Sequence, residues 1–235
     1  FRSAAITEGS LSAWCSSIQH LTPGGRLMRM RIVRQFCLYR QRSEPACFAP
    51  DPTQFPPPPP RWQPHIFSED EVVQLLHAAD ALRPWGASPL YGRVARLALV
   101  LLYTSGLRRG EVVRLTMGDY DPADHVLLVR DSKFRKSRLV PLSKDAVAEM
   151  EHYLRHRRRR GHPRGADSPL LIHRHDHHMT AYTGDGLHTM LRRLFRTVGV
   201  RTAAGRLPRV HDLRFTFAFH VLLRWYRTGA DVQAR

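Results

Sequence analysis

The sequence predicts a mainly α-helical protein with one small antiparallel β-sheet, an α+β fold. Apolar residues recur at helical spacing in most segments, and two short β-rich runs flank a basic turn. A proline-rich stretch separates a short N-terminal piece from a larger C-terminal one. Because 43% of the 235 residues are hydrophobic, the chain can bury a core, which excludes wholesale disorder.

The N-terminal piece has a helical pattern. In residues 24–42, one face is expected to carry Leu27, Met30, Val33, Phe36 and Cys37, and most arginines fall elsewhere. The stretch "DPTQFPPPPPRWQP" that follows favours stiff polyproline II and excludes a helix or a central strand. We therefore expect a small helical piece over residues 1–49, a linker over 50–65 and a larger domain over 66–235.

The larger domain begins with a helix signal, since Ser68 and Glu71 form a capping box ahead of an apolar run. Two helical segments follow, over residues 93–104 and 107–115, separated at Ser105-Gly106. The β-rich runs 125–130 and 138–142 predict a hairpin with a basic tip. Three further helices are predicted, over residues 144–160, 187–198 and 212–227.

The charge balance favours a polyanionic partner. Lys and Arg number 37 against 20 Asp and Glu, a formal charge of +17, and nucleic acid is the first choice. The three cysteines suit a reducing cytosol better than a disulfide framework or a zinc site. The apolar run 97–103 is too short to span a membrane. We expect a cytoplasmic bacterial protein at the nucleoid.

Four residues suit phosphoryl-transfer chemistry. Arg108 follows a glycine-containing helix break, and Arg214 lies one helical turn after His211. Two arginines on one phosphate would offset the negative charge that builds on its oxygens in the transition state. Lys133, on the hairpin tip, can give a proton to a leaving alkoxide. None of these spacings is diagnostic by itself.

Three motifs in order make the pattern specific. The segments "YTSGLRRGEVVRLTMGDYD" (103–121), "SKFRKSRLVPL" (132–142) and "HDLRFTFAFHVLL" (211–223) together resemble the tyrosine recombinases, or phage integrases. The resemblance covers residues 25–235. It implies a recombinase catalytic domain over 66–235, preceded by a partial helical, SAM-like core-binding domain over 1–49.

The resemblance also implies roles. Arg108 and Arg214 would be the catalytic arginines, His211 the catalytic histidine, Lys133 the hairpin lysine and Glu111 a supporting acid.

The other hairpin cations each have more than one interpretation. Lys136 competes with Lys133 for the place of the hairpin lysine. Arg135, Lys136 and Arg138 are interpreted as DNA-backbone contacts, with solvated hairpin charge as the alternative. Phe215 departs from the family, since many relatives carry His there.

The family's nucleophile is a tyrosine well beyond the second arginine. Tyr226 lies only 12 residues after Arg214 on one predicted helix, which places it about 18 Å away along the axis. We therefore expect this chain to lack its nucleophile, to be truncated at the C-terminus and also at the N-terminus, and to be inactive alone.

The function implied is site-specific DNA recombination or integration on a mobile element, through a 3′-phosphotyrosyl intermediate. The resemblance implies double-stranded DNA as partner, a homotetramer on DNA, and no metal, cofactor or small-molecule substrate. The alternative is a non-catalytic DNA-binding protein, such as a truncated competitor of a full-length recombinase.

Two further runs have weaker interpretations. The histidine-rich run "HRHDHHM" (173–179) suggests a metal-dependent hydrolase, but its spacing fits no helical zinc motif. We expect a solvated loop there, ahead of a helix opened by Thr180. The run "RHRRRR" (155–160) is expected to be a solvated helix end, with phosphate contact as the second interpretation.

Overall fold

The computed structural model describes residues 6–58, 60, 63–83, 88–130, 136–175 and 178–229. The chain divides into two compact units, Phe1–Gln63 and Pro64–Arg235. Over the described residues, no helix has both the length and the apolar character needed to cross a membrane.

Within its described residues, the first unit has the α-helices α1 (Glu8–Ser17) and α2 (Pro23–Arg40) and a short 3-10 helix, Pro52–Gln54. Thr7 and Ser10 form a capping box at the start of α1, in which each side chain bonds the backbone amide of the other. Thr22 is the N-cap of α2, and Pro23 is the first residue of that helix. The prediction included α2 and missed α1, whose single buried residue, Leu11, leaves little apolar periodicity to detect.

The second unit is mainly helical, which confirms the predicted fold class. Its helices are α3 (Glu69–Asp80), α4 (Tyr91–Thr104), α5 (Arg109–Arg114), α6 (Lys144–Arg159), α7 (Gly184–Val198) and α8 (Asp212–Arg227). The predicted capping box opens α3: the Ser68 hydroxyl accepts from the Glu71 amide, and the Glu71 carboxylate accepts from the Ser68 amide.

Helix α4 is the centre of the core. Leu97, Ala98 and Leu101 have no exposed surface, and the helix packs against α3, α5, α6, α7 and α8. A helix that is apolar nearly all round has to be buried on all sides, as residues 97–102 are here. The ends of α5 and α8 are therefore held by one common element.

The predicted hairpin is present within a three-stranded antiparallel sheet, ordered β1 (Tyr120–Asp121), β2 (Val126–Val129) and β3 (Arg138–Pro141). Val129 pairs with Arg138 at the end of the hairpin nearest its tip. Strand β1 was not predicted, because two residues are too few to show an alternating pattern.

The histidine-rich run forms a second hairpin, so the predicted loop was wrong. Strands β4 (Ile172–His175) and β5 (His178–Ala181) pair antiparallel, with Thr180 opposite His173. Thr183, not Thr180, caps α7, since its hydroxyl accepts from the Gly186 amide.

The basic run at the end of α6 is not solvated throughout. Arg158, Arg159 and Arg160 are exposed, as predicted, but Arg157 is 1% exposed. Its guanidinium donates to the carbonyl oxygens of Pro163, Pro169 and Leu170 at 2.6–3.2 Å. The buried charge of Arg157 is tolerated because carbonyl groups of the segment after α6 accept hydrogen bonds from its guanidinium.

Candidate active site

The α4–α5 turn and the start of α8 carry the predicted arginines and histidine. Gly106 takes a left-handed conformation (φ +58°) in the turn that leads to Arg108, the N-cap of α5. A side chain there would also collide with the Phe217 ring, 2.4 Å from where a Cβ would lie. His211 is the N-cap of α8, and Arg214 lies in its first turn. Helix α4 packs against both helices and brings these ends together.

A direct hydrogen bond joins the two ends. One terminal nitrogen of Arg214 donates to the carbonyl oxygen of Gly106, two residues before Arg108. Burial lowers the pKa of Arg214, and the positive charge of Arg108 lowers it further. The charge of one arginine therefore acts on the other.

A buried carboxylate supports the first arginine. Glu111 is 3% exposed, and its oxygens accept from the Arg108 amide at 2.8 Å and the Arg108 guanidinium at 2.9 Å. Arg138, on β3, binds the same carboxylate with both terminal nitrogens, at 2.9 and 3.1 Å. Arg138 is thus held by an ion pair, in place of the solvated hairpin charge considered from the sequence.

These contacts keep Glu111 ionised. Burial alone would raise its pKa, but the hydrogen bonds from Arg138 and from the Arg108 amide and guanidinium outweigh burial and lower the pKa to about 2. The carboxylate is consequently ionised and remains an acceptor at neutral pH, and it orients the Arg108 guanidinium.

We expect the contribution of Glu111 to stability to be lost in acid. Its pKa is about 2 when folded, against 4.5 ordinarily, so the stabilisation is complete above pH 4.5 and disappears as pH falls toward 2. The shift corresponds to roughly 3 kcal/mol, and solvent screening at the two part-exposed arginines reduces this to about 2 kcal/mol.

Urea unfolding of Glu111→Gln and of the unmodified chain at pH 7 and pH 3 measures this contribution. The gap in unfolding free energy should be about 2 kcal/mol at pH 7 and should narrow at pH 3. Asp185→Asn is the control, because the Asp185 side chain is 97% exposed beside Arg109. A gap that is the same at both pH values would contradict the role of the ionised carboxylate.

His211 is neutral near pH 7. Burial lowers the pKa of its imidazole, the charges of Arg214 and Arg108 lower it further, and Asp212 opposes them in part. A neutral imidazole has one donor and one acceptor nitrogen, so it can hydrogen-bond a phosphate or move a proton. Phe215 packs edge-on against the His211 ring, with 5.1 Å between ring centroids. Phe215, which stands where the resemblance led us to expect histidine, is thus an apolar neighbour of His211.

Thr216 fixes the first turn of α8 and was missed by the sequence reasoning. Its buried hydroxyl accepts from the Phe67 amide at 3.0 Å and donates to the Asp212 carbonyl oxygen at 2.9 Å. A threonine two residues after an arginine gives no sequence signal for a contact 149 residues away.

Two of the predicted hairpin residues, Lys133 and Arg135, lie outside the described residues. Lys136 is described and exposed. The structure therefore brings Arg108, Glu111, His211, Arg214 and Arg138 into one neighbourhood and leaves the role of the hairpin lysine as a prediction.

The described tyrosines differ in their exposure. Tyr120, Tyr153 and Tyr182 are buried, and the Tyr103 hydroxyl lies 3.4 Å from Nδ1 of His220. Tyr226 is 72% exposed on α8, a continuous helix from Asp212 to Arg227, which sets it about 18 Å along the axis from Arg214.

Within the described part of the chain, no group of three or more His, Cys, Asp or Glu side chains is arranged to hold a metal ion. In the histidine-rich hairpin, Nε2 of His173 is instead 3.2 Å from the Thr180 hydroxyl, and the His173 ring lies beside Tyr182.

Residues 65–234 match the family described as Phage integrase family. The chain is 33% identical over 241 residues to y4rB of Sinorhizobium fredii, named as an integrase/recombinase, covering 96% of this chain and 72% of that protein. It is 30% identical over 217 residues to the tyrosine recombinase XerC of Chromobacterium violaceum, covering 92% of this chain and 65% of that protein.

A solved structure has the same fold. The XerH site-specific recombinase, bound to a palindromic difH substrate in a post-cleavage complex, aligns with a TM-score of 0.66 and 17% identity. The alignment covers 94% of this chain and 60% of that chain. This chain spans 65% of the length of XerC, so the activity, substrates and partners of the whole protein are proposals.

Proposed function

The chain belongs to the phage integrase family, and we propose that it serves site-specific DNA recombination as the phosphate-activating part of a tyrosine recombinase. The observation that carries the proposal is the meeting of Arg108, His211 and Arg214 at the ends of two helices held by α4. A cluster of basic side chains of this kind suits a phosphodiester, and the +17 charge suits duplex DNA as the molecule that carries it.

The residues have distinct roles in this proposal. Arg108 and Arg214 donate hydrogen bonds to the non-bridging oxygens of the scissile phosphate and offset the charge that grows there. Glu111 holds Arg108 in place and remains ionised. The neutral imidazole of His211 donates to the phosphate or accepts the proton of the nucleophile.

The chemical step is a transesterification. A tyrosine oxygen bonds to phosphorus, the bond to the 5′-oxygen breaks, and the 3′-phosphate remains linked to the protein. The tyrosine proton goes to a base, and Lys133 protonates the departing 5′-oxygen. Because the phosphotyrosyl ester keeps the energy of the broken bond, no nucleotide cofactor is required. Two cleaved sites held by a homotetramer complete the strand exchange.

The nucleophile is proposed to lie outside these 235 residues. Tyr226, the tyrosine that follows the His211–Arg214 motif, is about 18 Å from Arg214 along α8, and attack requires about 3–3.5 Å. The second candidate function follows from this: a chain without its nucleophile would bind DNA and compete with a complete recombinase.

A covalent-trapping experiment tests the proposal. Duplexes selected from random sequence for tight binding are nicked along their length, incubated with the chain and run on a denaturing gel. Residues 1–235 should give no covalent product, because removing one member of a catalytic set leaves little of the rate. A longer form that supplies a tyrosine after α8 should give the adduct, and Arg108→Ala should abolish it.

Each other outcome has a clear meaning. An adduct from residues 1–235 would contradict the assignment of the nucleophile, and Tyr226→Phe would then be the next variant. No adduct from the longer form, with DNA binding intact, would favour the competitor over the recombinase.

A further inference from the structure

We propose that Arg130 and Arg138 are positioning residues that fasten both ends of the lysine-bearing hairpin tip to the segment that carries Arg108. The inference rests on the proposed function, because it concerns where Lys133 is delivered. It replaces the interpretation of Arg138 as a contact to the DNA backbone.

The two arginines flank the tip. Arg130 directly follows β2, and Arg138 is the first residue of β3, where it pairs with Val129. The seven residues between them, 131–137, include Lys133 and Lys136. Whatever fixes Arg130 and Arg138 therefore fixes the points at which the chain leaves the sheet and returns to it.

Each arginine binds a buried carboxylate. Nε of Arg130 lies 2.5 Å from Oδ1 of Asp119, which is 4% exposed and also accepts from the amide and hydroxyl of Thr116 at 2.9 Å. Burial raises the pKa of Asp119, but the hydrogen bonds from Arg130 and Thr116 outweigh it and lower the pKa. The ionised carboxylate is therefore favoured, and it accepts from Arg130.

The Arg138 anchor reaches the active site itself. Its two terminal nitrogens bind the two oxygens of Glu111, and Arg108 binds the same carboxylate through its guanidinium and its amide. A bidentate pair fixes direction as well as distance. One buried carboxylate thus sets the position of a phosphate-binding arginine and of the hairpin strand together.

Both carboxylates belong to one short segment, residues 108–119, so the hairpin is attached to it at two points. The Arg130 side chain is 61% exposed and Arg138 36% exposed, so screening is stronger at Arg130. We expect Arg138 to contribute more.

The charge-conserving variant separates positioning from DNA contact. Lysine keeps the positive charge of Arg138 but cannot form the two-pronged pair with Glu111. If Arg138 only neutralised a phosphate, Arg138→Lys would preserve function. If it positions the tip, Arg138→Lys and Arg138→Gln should have similar effects.

The chain offers a direct readout, because its three lysines are Lys133, Lys136 and Lys144. Acetic anhydride labels the amines with and without duplex DNA, and mass spectrometry gives the protection of each. In the unmodified chain, DNA should protect Lys133. In Arg138→Lys that protection should fall about three- to fivefold, as expected for loss of a part-exposed ion pair, while Lys144 remains unchanged.

Further variants guard against misfolding. Arg130→Lys leaves the Glu111 pair intact and should give a smaller loss of Lys133 protection, and Arg193→Lys, on the exposed face of α7, should give none. If bound DNA protects Lys133 from acetylation fully in both Arg138→Lys and Arg130→Lys, the positioning role is overturned and the proposed function is not affected. Equal labelling of Lys133 with and without DNA in the unmodified chain would overturn the proposed function, and the positioning role with it.

Discussion

Affinity for duplex DNA is expected to fall by roughly 10³- to 10⁵-fold when salt rises from 50 to 200 mM, the range for proteins that neutralise about six to ten phosphates. The formal charge of +17 provides the cations for this number of contacts. Each neutralised phosphate releases condensed counterions and adds about 0.9 to the slope of log affinity against log salt.

Fluorescence anisotropy with a labelled duplex at five salt concentrations gives that slope. Circular dichroism over the same series serves as the control that the fold does not change. A slope of log affinity against log salt shallower than about −2 corresponds to about two neutralised phosphates. It would contradict duplex DNA as the partner that explains the positive charge.

Replacing Arg157 with methionine is expected to destabilise the second unit by about 3–5 kcal/mol. The guanidinium is the donor for three carbonyl groups, and those of the half-buried Pro169 and the buried Leu170 would lose it away from water. Each such acceptor left without a partner costs about 1–3 kcal/mol. The Leu170 carbonyl keeps one donor, the Tyr153 hydroxyl at 2.8 Å, so the full sum is not expected. For a unit of this size the melting temperature should fall by roughly 8–15 °C.

Arg158→Met is the matched control, since Arg158 is the exposed neighbour on the same helix. Its effect should stay within about 0.5 kcal/mol. Equal melting temperatures for the Arg157 and Arg158 variants would show that the buried guanidinium does not support the chain after α6.

Local signals explain what the sequence predicts well. The capping box at Ser68, the paired β-rich runs and the glycine that ends a helix before Arg108 act within a few residues, and each is present in the structure. The bounds of α8 match the predicted 212–227, because an apolar-rich run ends there at Thr228-Gly229. The three motifs then indicated the family, and with it the fold.

Contacts between distant residues explain what it does not predict. Arg138 binds Glu111 from 27 residues away, and Arg157 is buried because a later loop turns its carbonyl groups inward. In the sequence, Arg138 and Arg157 each lie in a basic run of the kind that is usually exposed. The histidine-rich run was misjudged for another reason: its strands are paired to each other, and polar residues in a paired hairpin show little apolar alternation.

The central claim, that Arg108 and Arg214 hold one DNA phosphate together, is tested most directly by a double-mutant cycle in duplex binding. Affinities of Arg108→Ala, Arg214→Ala and the double variant are compared with the unmodified chain, and an Arg108–Arg193 cycle is the control. Residues that share a partner couple by about 0.5–3 kcal/mol, so the double variant should lose less affinity than the sum of the single losses. The Arg108–Arg193 cycle should be additive. Losses for Arg108 and Arg214 that add within about 0.3–0.5 kcal/mol would contradict a shared phosphate and the active site built on it.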